Sequence, residues 1–153
     1  MESSLLSYKL QSHIRLYTES HQAPVNKFLH FVGIPLLLVA SLGLLSRISA
    51  AQGALPSILQ PNAAWIVLLA ASVWYMWQDW RSALLMILPI LGCYAVGTML
   101  TAEILGGLAC VGIAAHMVGH YGFEGKPPSL LTRPVAILEA PAWLLSNLTR
   151  RRT

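Results

Sequence analysis

Charge is the scarcest property of this 153-residue chain. It holds ten Lys or Arg and six Asp or Glu, so 10% of its residues are charged, against about 25% in soluble domains. So few charges cannot cover a water-facing surface, which excludes an ordinary soluble domain and turns most of the exterior toward lipid. Cysteine is nearly missing too. Cys93 and Cys110 each stand alone in an apolar run. That excludes a disulfide framework or a cysteine-built metal cluster and reads as small packing residues. Basic residues interleaved with aromatics are absent, so the formal charge of +4 does not point to nucleic acid. The first 27 residues hold no apolar core of a cleavable signal peptide, and the first membrane helix is expected to do its own targeting. What remains is apolar. Hydrophobic residues make up 56%, the mean hydropathy is +0.60, and the length suits one domain.

Residues 4–20 are polar but periodic. Leu6, Leu10, Ile14 and Tyr17 recur at near-helical spacing and predict an amphipathic helix on the membrane surface. His13 lies near that stripe and reads as a partly exposed interfacial histidine. Pro24 suits the first turn of a new helix. The helix continues as an apolar run from Phe28 to about Leu45, with Pro35 expected to bend it. Residues 47–62, with Gly53, Pro56 and Pro61, read as a loop. Three more apolar runs follow, over 63–77, 82–99 and 101–120. The first ends in an expected aromatic belt of Trp74, Tyr75, Trp77 and Trp80. It forms a hairpin with the next, and Gly106, Gly107 and Gly112 suit close packing of the last. Arg133 and Glu139, with Pro134 and Pro141, argue against a fifth span and for a surface-lying tail that ends in Arg150, Arg151 and Arg152. The expected fold is therefore all-α. It is an integral membrane bundle of four transmembrane helices over 23–121, between interfacial segments at 1–22 and 122–153.

Four spans put both termini on one side. All of the basic residues except Arg47 then fall on that side, which the positive-inside rule places in the cytoplasm. The membrane is a bacterial inner membrane or the endoplasmic reticulum. This topology brings His21 and His30, before and inside the first span, to the depth of His116 and His120 at the end of the fourth. His116 and His120 are four apart and share a helix face. Glu124 lies one turn further, if the helix survives Gly119 and Gly122. Asn26 lies one turn before His30, where an amide can orient it. Ionisable side chains at membrane depth face the bundle interior, and neutral imidazole is the commonest metal ligand. Imidazoles with open positions suit Fe(II) and dioxygen chemistry, and equally zinc holding a water. The ligand set alone does not choose.

The motifs Tyr17-x3-His21-x2-Pro24-x-Asn26-x3-His30-x2-Gly33-x-Pro35 and Gly119-His120-x2-Phe123-Glu124-x3-Pro128 resemble the Mpo1-like family. The two motifs and the apolar bundle between them cover most of the chain. His21, His30 and His120 fall on family histidines, and Asn26 and Glu124 on motif positions. His116 departs from the pattern, which commonly has glutamine there. The resemblance implies a 2-hydroxy fatty acid dioxygenase that uses Fe(II) and dioxygen and shortens its substrate by one carbon in α-oxidation.

The expected catalytic and metal-binding residues are thus His21, His30, His116 and His120. Asn26, Glu124, Tyr17 and Lys126 are expected to support them or meet the substrate. The substrate would be a long-chain 2-hydroxy fatty acid entering from membrane lipid. A b-type haem electron carrier with His30 and His120 as axial ligands is one alternative. A structural membrane protein whose histidines only bridge helices is another. A transporter fits less well, because the polar groups gather at one interface rather than at the bilayer midplane.

Overall fold

The computed structural model describes residues 6–49 and 57–149, and these are helical without a β-strand. Six α-helices follow in order: α1 (Tyr8–Glu19), α2 (Pro24–Leu45), α3 (Ala63–Gln78), α4 (Trp80–Met99), α5 (Ala102–Met117) and α6 (Ala136–Thr149). A π-helical turn, Val118–Glu124, prolongs α5, and short 3₁₀ turns lie at Ser57–Leu59 and Ser129–Leu131. Of the expected loop, Gly53 and Pro56 lie outside the described residues, as do the terminal arginines Arg150, Arg151 and Arg152.

Three helices are long and apolar enough to cross a membrane: α2, α4, and α5 with its π-turn, Ala102–Glu124. This corrects the expected four spans. The run at 63–78 is apolar but only 16 residues long. It reaches about 24 Å at 1.5 Å per residue, short of a ~30 Å hydrocarbon core. Asp79 sets the limit. It ends α3, and its carboxylate accepts the Ser82 N–H to start α4. The expected aromatic belt is also smaller than its sequence suggests. Trp77 and Trp80 are exposed, but Tyr75 is buried and donates its hydroxyl to the Leu138 carbonyl at 2.6 Å.

α2 is the axis of the bundle and runs antiparallel to α5, since Gly33 lies against His116 and Gly43 against Leu105. It packs along α5 on one side and α4 on another, and α3 packs on α4. Glycine sets the closest crossings. At Gly97 an added Cβ would stand 2.7 Å from the Val39 carbonyl and 2.8 Å from the Gly43 Cα. Both obstacles are backbone and cannot swing aside. Gly97→Ala is therefore expected to lower stability by about 1–3 kcal/mol, read as a drop in melting temperature in detergent. A melting temperature equal to that of the parent would refute this crossing. Gly106 and Gly107 play no such part, since a Cβ at either meets nothing within 4 Å. Only Gly112 of that trio is closed in, by Leu37.

The amphipathic stripe is found as expected: Leu6, Leu10, Ile14 and Tyr17 are all buried. They pack on protein as well as facing the bundle, because α1 lies against α6. The Ser7 side chain accepts the Leu10 N–H as the N-cap of α1, and the Ser7 N–H donates to Ser82 at the start of α4. The effect of this second layer is to carry the end of α1, and with it His21, under the first turns of α2.

Candidate metal centre

The N-terminus of α2 and the π-turn meet through Gly119. An ideal Cβ there would sit 2.1 Å from the Asn26 Oδ1, so only glycine lets the π-turn approach the Asn26 side chain this closely. Asn26 is fully buried. Its amide nitrogen donates to Glu124 Oε1 at 3.1 Å, and the Ala23 N–H donates to the same oxygen at 2.7 Å. Ala23 is the N-cap of α2 and has no capping side chain of its own. Glu124 supplies the cap from across the site, with its negative charge at the positive end of the helix dipole. Its role here is to lock the π-turn to α2. Glu124→Ala leaves both donors without a partner and is expected to cost about 1–2 kcal/mol. The check is a thermal melt beside Glu124→Gln, which keeps an acceptor and should lose less.

This junction brings the His30 and His120 rings together edge to face, at 84°, and the exit of α1 delivers His21 against both. All three side chains are buried, and one ligand atom from each lies within 4.8 Å of the other two. The ring centroids of His21 and His30 are 4.4 Å apart. Those of His21 and His120 are 4.8 Å apart, and those of His30 and His120 4.9 Å.

The hydrogen bonds fix what two of these rings offer. His21 donates its Nδ1–H to the Tyr17 carbonyl at 2.7 Å, and His30 donates its own to the Asn26 carbonyl at 2.9 Å. Each Nε2 is then a bare lone pair. The two Nε2 atoms nevertheless stand 3.1 Å apart. Lone pairs facing each other at that distance repel unless something positive lies against both. Two nitrogens bound at about 2.1 Å to one ion, at right angles, would be about 3 Å apart. His120 adds a second observation: its Nδ1 is buried and has no hydrogen-bond partner. Burial also pushes the His21 imidazole down to about 4, so at neutral pH it is the uncharged, ligating form. The residues present fit a divalent metal held by three imidazoles.

His116 stands beside this group but not in it. Its ring centroid is 4.1 Å from that of His30, and its Nδ1–H goes to the Gly112 carbonyl at 3.1 Å. Gly33 makes room for it, since a Cβ there would lie 2.9 Å from the His116 Nδ1. Tyr17 stacks on His21 at 4.1 Å and 13°. Burial, and then Glu139, raise its phenol above the ordinary tyrosine range, so it stays neutral. The Lys126 side chain is exposed, and it is the Lys126 backbone N–H that reaches the site's frame, at the His120 carbonyl. Trp143 is a further residue of the site that no motif in the sequence marks. It is buried in α6 against Tyr17, His21 and Phe31. A lone tryptophan deep within an apolar tail was the signal available.

Together these observations define a small helical protein of membrane composition with a buried three-histidine site at one end of its bundle. The family described as 2-hydroxy-palmitic acid dioxygenase Mpo1-like matches residues 7–152, nearly the whole chain. The chain belongs to that family. No curated protein and no solved structure matches it.

Proposed function

We propose that this protein is an Fe(II)-dependent dioxygenase of long-chain 2-hydroxy fatty acids, embedded in a membrane with both termini in the cytoplasm. The observation that carries the metal centre is the pair of bare Nε2 atoms, 3.1 Å apart, in a group of three imidazoles whose ligand atoms lie within 4.8 Å of one another. The family description supports the reaction. His21, His30 and His120 would hold the iron, with His116 beside His30 at the rim of the site. Fe(II), when bound, supplies the redox chemistry by which dioxygen is used to break the bond between C1 and C2 of the substrate.

The chain's own residues bind, orient and exclude water. The Tyr17 and Asn26 carbonyls hold the His21 and His30 rings with their Nε2 atoms inward. Tyr17 and Trp143 wall the buried side against water. His116 is only half-buried and lies on α5, and Ile113 and Met117 of that helix and Val118 of the π-turn are exposed around it. An acyl chain would approach along this apolar flank, with its carboxylate and hydroxyl leading. Lys126, exposed beyond the π-turn, would sit among the headgroups. Alternation of α2, α3, α4 and α5 would bring α1 and α6 to one side, with α3 as the shorter arm of its hairpin with α4.

The two alternatives are weaker on specific grounds. A haem with His30 and His120 as axial ligands needs its macrocycle between those rings, where His21 touches both. Purely structural histidines would pair donor with acceptor, whereas His21 and His30 present two acceptors. The test is to incubate purified protein with Fe(II), dioxygen and 2-hydroxypalmitic acid and analyse the acids formed. A product one carbon shorter, together with consumed dioxygen, supports the reading. A Soret band in the purified protein, or no turnover at full iron content, defeats it.

A further inference from the structure

Glu139 is the one carboxylate among the described residues that is completely buried. Its Oε1 accepts the His13 Nδ1–H of α1 at 2.9 Å and an Arg133 guanidinium N–H from just before α6. Its Oε2 is buried and has no partner. Burying a carboxylate costs several kcal/mol, and a pair of this kind often stabilises less than a well-packed leucine would. An unsatisfied oxygen makes the cost higher. What the arrangement does supply is direction.

Two ladders meet here. His13, Tyr17 and His21 follow one another at intervals of four along α1 and its exit. Glu139 and Trp143 are four apart on α6. His13 meets Glu139, and both Tyr17 and His21 meet Trp143, at centroid distances of 5.5 and 5.8 Å. Trp74 of α3 closes over the outer side of His13 at 5.3 Å. The contact at Glu139 therefore fixes both the rotation of α1 and its position along α6. His21 hangs from that helix, since its Nδ1–H is held by the Tyr17 carbonyl and its ring by the Tyr17 face.

We infer that Glu139 is a positioning residue for the metal centre, which fastens α1 to α6 through His13 and Arg133 and so holds His21 at the distance where it shares an ion with His30 and His120. This rests on the metal-centre reading. Glu139 touches no ligand and acts through α1 alone.

The test is Glu139→Gln in the full-length protein in detergent, titrated with Co(II) as a spectroscopic probe. Affinity is expected to fall about tenfold, the low end for outer partners of metal ligands, with a changed visible Co(II) band. Hydrogen exchange over residues 8–22 should rise at the same time. His13→Ala, whose side chain is 30% exposed, is the milder second variant should Glu139→Gln not fold, and the same signs are expected in smaller size. Unchanged exchange in α1 overturns the fastening. Raised exchange with unchanged Co(II) affinity and spectrum overturns its link to His21. Failure of the parent protein to bind Co(II) overturns the metal centre and this inference with it, and is told apart because it is seen before any variant is made.

Discussion

Purified His30→Ala and His120→Ala proteins are expected to retain no iron and to show no turnover of a 2-hydroxy acid. The site has three imidazoles within mutual reach, and losing one leaves two. Loss of a partner that only orients a ligand weakens metal binding about 10–100-fold, so loss of a ligand itself should exceed ~100-fold. The folded protein should nonetheless survive. His30 gives up one hydrogen bond, to the Asn26 carbonyl, and that carbonyl remains within α2. His120 gives up no side-chain hydrogen bond at Nδ1. The measurements are metal content after gentle purification, turnover, and a thermal melt without metal. Full iron content in either variant would remove the three-histidine centre. Full turnover would remove the enzyme reading.

Gly119→Ala should be nearly as damaging, by a different route. Its Cβ would fall 2.1 Å from the Asn26 Oδ1 and 3.1 Å from Cγ. Asn26 cannot turn away, because its amide nitrogen is held by Glu124 and the residue is buried. Nor can its amide flip, which would set an oxygen against a carboxylate. The π-turn must therefore back off from α2 and take His120 with it. A loss of about 3 kcal/mol is expected, along with weakened metal binding. Asn26→Ala in the same chain removes the obstacle, so the double variant should be more stable than the two single losses predict. Strict additivity would show that the contact is not what Gly119 protects.

These two expectations differ in how far the sequence reveals them. Convergence of His30 and His120 follows from alternating apolar runs and a count of basic residues, because hydropathy reports helix order and direction over long stretches. The amphipathic stripe at Leu6, Leu10, Ile14 and Tyr17 is legible for the same reason. Span length is not, because an apolar run at 63–77 looks the same whether it crosses or stops short. Asp79 and the inward-turned Tyr75 decide that. The role of Glu124 is half legible: its distance from His120 suggests a shared site, but capping a helix 101 residues earlier in the chain requires the fold. Glu139 was the least legible. An acid amid prolines and apolar residues signals a water interface, and its burial depends on Arg133 and on His13, 126 residues away. Hydropathy is blind to such pairings.

The turn that carries His120 is wound more loosely than an α-helix, with hydrogen bonds reaching one residue further. Its closing Gly125 adopts a left-handed φ of +64° and donates its N–H to the His120 carbonyl. An α-helix advances about 100° per residue, and this looser turn somewhat less. Deleting a single residue between 121 and 124 would tighten the coil and swing Glu124 away from Ala23 by roughly that angle. The angular phase of the last turn, rather than its composition, is therefore what this end of the bundle has to conserve. Chains of this fold should tolerate exchanges at exposed Tyr121 and Phe123 far better than a change in the number of residues there.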